Sequence, residues 1–564
     1  MNLDFLIGPG RVNYPTPSRK HPLSGATPTF GATAPDKVEL SRQSMRDAVG
    51  LDASSRIQYQ LSPPQLTKKA VERNEGTLSA EGVLVVETGP KYTGRSPKDR
   101  FIVDTPTLHN QIGWNKENIA ISPEVFDKVQ KKITDYLKGK EVFVFDGISG
   151  ADPKYAMPVR FYNERAAQNL FVHQMFIRPN KQQLAGFKPE FTVLAAPGLK
   201  LDPATDGVRS EVGILVNLEK KMILIAGTQY SGELKKGIFG VMNYRLPEKN
   251  VLPLHSAATV VDKDKVSLIV GLSGTGKTTL ALSPDQTYIG DDEVGWSEEG
   301  VFNFEGGCYA TANHLTQDTE PMVWKAIKKG TVAENVVLDP TTKALNFQDS
   351  SLSENSRVAF PIRHIAGAKR YSMIEKHPTN LVFLTSDAFG VLPPISKLSK
   401  EQAMYHFING YTSKMGGTER GVEAPQATFS AGFAAPFLPK PIGVYARMLA
   451  DKIKNHPLNV YLINTGWQGG SQGVGKRLGL PETRAILKAA IHGDLEKQQF
   501  VEHPIFKIQV PKSCPGVPDT LLDPKSNWQD KTAYDNTAQK LLGMFQENFK
   551  AFPDLQEWVD AWKK

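Results

Sequence analysis

Between Lys265 and Leu282 the hydrophobic pattern changes twice. "KVSLIVGL" is an unbroken apolar run of strand length, "SGTG" is small and polar, and "KTTLAL" opens a helical period. A short run rich in β-branched residues, then glycine, then helix spacing, predicts strand, loop and helix. Elsewhere, "GVLVVET" and "EVFVFDG" read as strands. "RAAQNLFVHQMFI" reads as a helix, because Ala166, Leu170, His173 and Met175 to Ile177 recur near i, i+4, i+7. "EVGILVNLEKKMILIAGTQY" predicts a hairpin with "LEKK" as its turn. "TYIGDDEVGW" predicts a strand ending in acids, and "NVYLINTGWQGGSQGVGKR" a strand entering a glycine-rich loop. "ETRAILKAAIHG" predicts an amphipathic helix stopped by Gly493, and "TAQKLLGMFQENFKAF" another helix.

These patterns divide the chain. Residues 1–55 are rich in Pro, Gly, Ser and Thr, show little periodicity, and predict an arm or tail, partly disordered. Residues 56–250 alternate short β-rich runs with loops and a few helices. Residues 251–564 are dominated by strands and glycine-rich turns, with a nucleotide module starting near 251. The fold class expected is mixed α/β.

Composition narrows the function. Hydrophobic residues make up 40% and charged residues 22% of the 564, as in a soluble globular protein. No run approaches the ~20 apolar residues that span a bilayer, so no membrane partner is expected. The first residues lack a basic-then-apolar secretory pattern, and Asp4 with the early prolines argues against an amphipathic transit peptide. Two cysteines, Cys308 and Cys514, cannot build a disulfide framework; they read as packing residues in a reducing, cytoplasmic setting. The net charge of +8 is spread without a dense Lys/Arg run, which points to small anions and away from nucleic acid.

The loop "GLSGTGKT" fits G-x-x-x-x-G-K-[ST], with Gly271, Gly276, Lys277 and Thr278 at the fixed places. Leu272, Ser273, Gly274 and Thr275 fill the loop, and Thr279 follows it. Glycines let backbone N–H groups turn inward around phosphate oxygens, and a helix N-terminus adds positive potential. Lys277 can reach the β/γ-phosphates, and the Thr278 hydroxyl can join a Mg²⁺ shell. Asp291 and Asp292 end a strand, where neighbouring carboxylates suit a metal ion. Lys235, Lys236 and His255 lie upstream; alone, such lysines are usually a solvated face and such a histidine usually structural. Arg95, in "KYTGRSPKDRF", can grip a carboxylate bidentately.

"TGRSPKDRF", "YSGELKKGIF", "LSGTGKTTL", "IGDDE", "FNFEGGCYA", "NSRVAFPI", "FLTSDAFGVLPP", "GTERG" and "NTGW…GKR…TRAI" occur in one order between about residues 80 and 525. Together they resemble ATP-dependent phosphoenolpyruvate carboxykinase. The resemblance implies two domains, a substrate-side domain over 56–250 and an ATP-binding domain over 251–564, with the active site in the cleft. It implies conversion of oxaloacetate and ATP to phosphoenolpyruvate, CO₂ and ADP, with Mn²⁺ and Mg²⁺ as cofactors, in a monomer or homo-oligomer. By motif, Lys236, His255 and Asp292 resemble the Mn²⁺ ligands, with Lys235 as their neighbour, and Thr278 the Mg²⁺ ligand, with Asp291 close by. Arg95 and Tyr230 resemble the substrate pocket, and Arg357 the cation bridging substrate and γ-phosphate. Glu320, Arg477, Leu478 and Thr483 sit where the family holds base and ribose. "GWQGGSQGVGK" and "FSAGFAAPFLPKP" are candidate mobile covers.

Three positions depart from that pattern: Thr311 stands where the family has lysine, Val294 where it has histidine, and Thr259 where it has asparagine. The lost lysine removes one positive charge beside several negative ones. Two other readings follow: a relative that keeps ATP and metal but has changed the acceptor step, and a P-loop protein phosphotransferase resembling HPr kinase. The substrate-side residues disfavour the second of these.

Overall fold

The central strands are continuous apolar runs, and their setting explains why. In the computed structural model, which describes residues 35–262, 264–369, 375–414 and 426–560, Lys265–Val270 lies parallel to Pro378–Thr385, and that strand parallel to Asn459–Asn464. Almost every residue in the three is buried; a sheet covered on both faces needs no polar alternation. They form the middle of an eight-stranded sheet. Ser256–Val261 and Thr287–Gly290 extend it on one side, and Ile395–Lys397, Gln509–Pro511 and Phe500–Glu502 on the other.

A second eight-stranded mixed sheet is built from residues before 230. Its order is Arg56–Tyr59, Glu141–Ser149, Met157–Asn163, Phe191–Ala196, Met222–Ala226, Gly213–Asn217, Arg100–Val103, Ile119–Ile121. A five-stranded sheet combines Gly307–Thr311, Arg357–Pro361 and Val332–Glu334 with Leu84–Val86 and Thr77–Leu78. It therefore draws strands from both sides of residue 250. Residues 46–564 form one compact unit.

The chain is mixed α/β, as the pattern predicts. The hairpin is present, with Gly213–Asn217 antiparallel to Met222–Ala226. Leu480–His492 is a helix that ends at Gly493, whose φ of +89 favours glycine. Lys531–Phe549 is the other expected helix. Ala166–Met175 is a helix buried on nearly all sides. Two of its polar residues are hydrogen-bonded there: the Asn169 amide donates to Phe143 O and Asn163 Oδ1, and the Gln174 amide to Gly330 O. Among the described residues no helix is long and apolar enough to cross a membrane.

Within the stretch expected as an arm or tail, partly disordered, Pro35–Asp47 is an α-helix. Its sequence, "PDKVELSRQSMRD", holds Lys, Glu, Leu, Arg, Gln and Met, all good helix formers; the Pro- and Ser-rich surroundings mask them. Val49, Leu51 and Ser55, in the same expected arm, are buried. Residues 1–34 lie outside the described residues.

Candidate active site

The loop between Lys265–Val270 and the short helix Lys277–Ala281 turns through Gly274 and Gly276, at φ +83 and +100. Only glycine adopts these angles without strain. Gly271 is also required: a Cβ there would meet Thr275 Oγ1 at 2.7 Å and Leu384 Cβ at 3.0 Å. Lys277 Nζ folds back to donate to Gly271 O at 2.6 Å. Burial pulls its ammonium down to about 8, helped by Lys236 and Lys235 and opposed by Asp292 and Asp291. The Thr278 hydroxyl donates to Asp291 Oδ2 at 2.8 Å, and the Tyr288 hydroxyl to Asp291 Oδ1 at 2.7 Å. Thr279 donates to Glu320 Oε1.

Helix Gly232–Arg245 brings Lys235 and Lys236 to the end of strand Thr287–Gly290, where Asp292 receives both. Each Nζ lies 2.7 Å from Asp292 Oδ2. Lys236 also donates to Glu293 Oε1 at 3.0 Å, and Lys235 lies 2.9 Å from Glu305 Oε1. Burial opposes the Asp292 charge, but Lys235 and Lys236 outweigh it and hold the carboxyl well below its usual range. Burial pushes Glu305 well above that range, against the pull of Lys235.

His255 is fully enclosed, and burial, with Lys277 beside it, lowers its ring to about 3. A neutral imidazole carries one N–H. Nδ1 lies 2.8 Å from Phe433 O, which can only accept, so the proton sits on Nδ1. Nε2 is then a bare lone pair 2.9 Å from Asp292 Oδ1. Two acceptors facing each other call for a cation, and Lys277 Nζ, 3.3 Å from Nε2, is the nearby one here. Amine, imidazole and carboxylate thus meet at one point, a set of nitrogen and oxygen groups that could hold a divalent cation.

These groups border a cavity of about 360 Å³. It is lined by Arg95, Tyr230, Lys235, Lys236, Asp292 and Arg357, by Leu272, Ser273, Gly274, Gly276, Lys277, Thr278 and Thr279 of the loop, and by Glu320. Arg95 lies over the Phe437 ring at 4.8 Å, and Arg357 over Tyr309 at 5.6 Å. The residue pattern between 55 and 520 matches the family model described as phosphoenolpyruvate carboxykinase. The chain is 50% identical over 515 residues to phosphoenolpyruvate carboxykinase (ATP) 2 of Moorella thermoacetica, covering 91% of this chain and 98% of that one. It is 51% identical over 505 residues to phosphoenolpyruvate carboxykinase (ATP) of Geobacillus kaustophilus, covering 89% and 95%. The chain belongs to the phosphoenolpyruvate carboxykinase (ATP) family.

Other residues expected of a carboxykinase site stand behind or beside the cavity. Gly271, Thr275, His255 and Asp291 form a layer behind its lining; Thr275 Oγ1 donates to Leu272 O at 2.7 Å. Arg477 braces the loop from outside, donating to Thr465 O at 3.0 Å and Gly274 O at 3.4 Å. Leu478 packs in an apolar cluster, and Thr483 donates to Gly479 O at 2.8 Å. Arg477, Leu478 and Thr483 do not line the cavity in this arrangement, because strand and helix packing holds them away from it.

The stretch "FSAGFAAPFLPKP" is not a loose cover. Phe433 and Phe437 are buried, and the carbonyls of Phe433, Pro436, Phe437 and Leu438 meet His255, Arg100, Asn243 and Asn118. In the other candidate cover, Trp467–Gln468 pairs with Lys476–Arg477, and Val474 projects at 81% exposure. "GTERG" lies outside the described residues.

The three departures have distinct settings. Thr311 faces the cavity directly across from Arg357 in the antiparallel register. Val294 is fully buried opposite Leu254 and Asn303. Thr259 is buried with its hydroxyl unpartnered. Tyr309 and Glu334 are missed by the motif reading. Alternation along "GCYAT" gives the signal for Tyr309: residues 307, 309 and 311 share a face, so Tyr309 lies beside Thr311.

Proposed function

We propose that the chain converts oxaloacetate and ATP to phosphoenolpyruvate, CO₂ and ADP, the carboxy-lyase reaction that feeds gluconeogenesis. The observation that carries this reading is the convergence of a P-loop lysine, a lysine–histidine–aspartate set and two arginines on one cavity. Breaking the C–C bond to the departing CO₂ leaves its electron pair as an enolate. The enolate oxygen attacks the γ-phosphorus in line, and the bond to the ADP oxygen breaks. Lys277, with the backbone N–H groups of its loop, binds the phosphates and stabilises charge on the transferring group. Arg357 stands between substrate and γ-phosphate, and Arg95 grips a substrate carboxylate with Tyr230 beside it. Free enolate would take a proton from water and yield pyruvate, so these side chains must also exclude water from the cavity.

Lys236, His255 and Asp292 would hold Mn²⁺, and Thr278, beside Asp291, the Mg²⁺ of ATP. Bound cations there supply Lewis-acid stabilisation of negative charge. Lys236 must be neutral to serve as a ligand. Glu320, at the Thr279 end of the cavity, serves the nucleoside side, and Arg477, Leu478 and Thr483, which stand outside the cavity in this arrangement, would have to move toward it to hold base and ribose. Residues 56–250 act as the substrate-side domain and 251–564 as the ATP-binding domain, with strands 77–86 crossing to the sheet of the second. Two free, buried cysteines suit a reducing cytoplasm.

The test is oxaloacetate- and ATP-dependent formation of phosphoenolpyruvate with Mn²⁺ present. Product well above a Lys277→Ala control is expected. Product no greater than that control overturns the reading.

A further inference from the structure

Glu334 is a carboxylate inside the protein, 1% exposed, at the end of strand Val332–Glu334. Each of its oxygens is used. Oε2 accepts the Tyr309 hydroxyl. Oε1 accepts Ser231 N–H at 3.1 Å, the peptide between Tyr230 and the helix that carries Lys235 and Lys236. In the sheet, Glu334 is the direct partner of Arg357, and Arg357 is also the partner of Thr311. Tyr309 is held between the two arms of this arrangement: its hydroxyl on Glu334, its ring under the Arg357 guanidinium at 5.6 Å and beside Tyr230 at 6.2 Å. Arg357 itself is steered from the other side, where Nε donates to Asn355 Oδ1 at 2.9 Å.

A buried carboxylate is costly unless hydrogen-bonded, so burial alone gives it no purpose. Its two bonds go to the two elements that present Tyr230 and Tyr309 to the cavity, and its cross-strand neighbour is the cation of the same wall. We propose that Glu334 is a positioning residue for the reaction: it fixes the Tyr309 ring as the platform on which Arg357 is held toward the transferring phosphoryl group. This rests on the role given above to Arg357. A ring freed from Glu334 can tilt, and the guanidinium above it then loses a fixed position. Misplacement of about 1 Å in such a group costs up to ~10²-fold.

The test compares Glu334→Gln, Tyr309→Phe and the double variant by steady-state kinetics, with thermal unfolding as a check on folding. Glutamine keeps an acceptor for Ser231 N–H but presents an amide to the Tyr309 oxygen and removes the charge. Each single variant is expected to lose about 10- to 100-fold in kcat, with KM for ATP unchanged. The double variant is expected to be no slower than the slower single one, because both act through one ring. If Glu334→Gln does not fold, Glu334→Asp takes its place with the same expectation, since it withdraws the charge by one methylene. Wild-type kcat in the Glu334 variant, or losses that multiply in the double variant, overturn the proposal. Arg357→Gln separates the two levels. Full turnover in that variant refutes the role of Arg357 itself, whereas an inactive Arg357→Gln beside an unaffected Glu334→Gln refutes only the positioning role.

Discussion

Replacing Asp292 with asparagine separates two things that its carboxylate does. The change is nearly isosteric and removes one charge from a group that lies 2.7 Å from Lys235 Nζ, 2.7 Å from Lys236 Nζ and 2.9 Å from His255 Nε2. At an effective dielectric of about 20, each 2.7 Å pair is worth on the order of 6 kcal/mol before desolvation. Breaking a buried pair by removing one partner costs ~3–5 kcal/mol net. Glu293 and Glu305 remain on the two lysines at 3.0 and 2.9 Å, which puts the expected loss at the low end, about 3 kcal/mol. The second effect is on metal. An ion held at a hundredfold excess over its Kd adds about 2.7 kcal/mol to the stability of the protein that binds it. Thermal unfolding with and without MnCl₂ measures both. The wild type is expected to gain stability with Mn²⁺, and Asp292→Asn to start lower and gain almost nothing. An asparagine variant that keeps the full Mn²⁺-dependent rise would refute the assignment of Asp292 as a ligand.

Other outcomes follow from the same geometry. Lys277→Ala is expected to lower kcat by ~10²-fold or more, since it removes a donor aimed at charge in the transition state; initial rates of phosphoenolpyruvate formation check this. Thr311→Lys places a cation opposite Arg357 on the cavity wall and is expected to raise turnover by at least ~10-fold if the missing donor limits the rate; an equal or lower rate excludes that. His406 is fully buried, which lowers its ring to about 3. The unfolded chain therefore takes up a proton below about pH 6.5 while the folded one does not, so stability falls with acid by ~1.4 kcal/mol per pH unit from this group. Between pH 7 and pH 5, His406→Phe is expected to lose about 2 kcal/mol less than wild type in urea unfolding; equal losses contradict it.

Much of this was legible in the sequence because the signals are local. The strand–loop–helix at 265–281 is written in one change of period, and the stop at Gly493 in one residue. The acids at 291 and 292 follow directly from the end of a strand. What was not legible depends on pairing between distant segments. Nothing near Leu84–Val86 states that it will lie beside Val332–Glu334, so the five-stranded sheet that crosses residue 250 was invisible. Glu334 is missed for the same reason: its meaning comes from Tyr309, Ser231 and Arg357, none of them close in sequence. The burial of "FSAGFAAPFLPKP" was hidden because its glycines and prolines read as loop, whereas backbone carbonyls and two phenylalanines fix it in place.

The most direct test of the account is anomalous scattering at the manganese edge from crystals grown with Mn²⁺ and an ATP analogue. The account predicts one strong peak bonded to Lys236 Nζ, His255 Nε2 and an Asp292 carboxylate oxygen, next to the phosphate chain in the Gly271–Thr278 loop. A peak away from these atoms, or none at all, would contradict it.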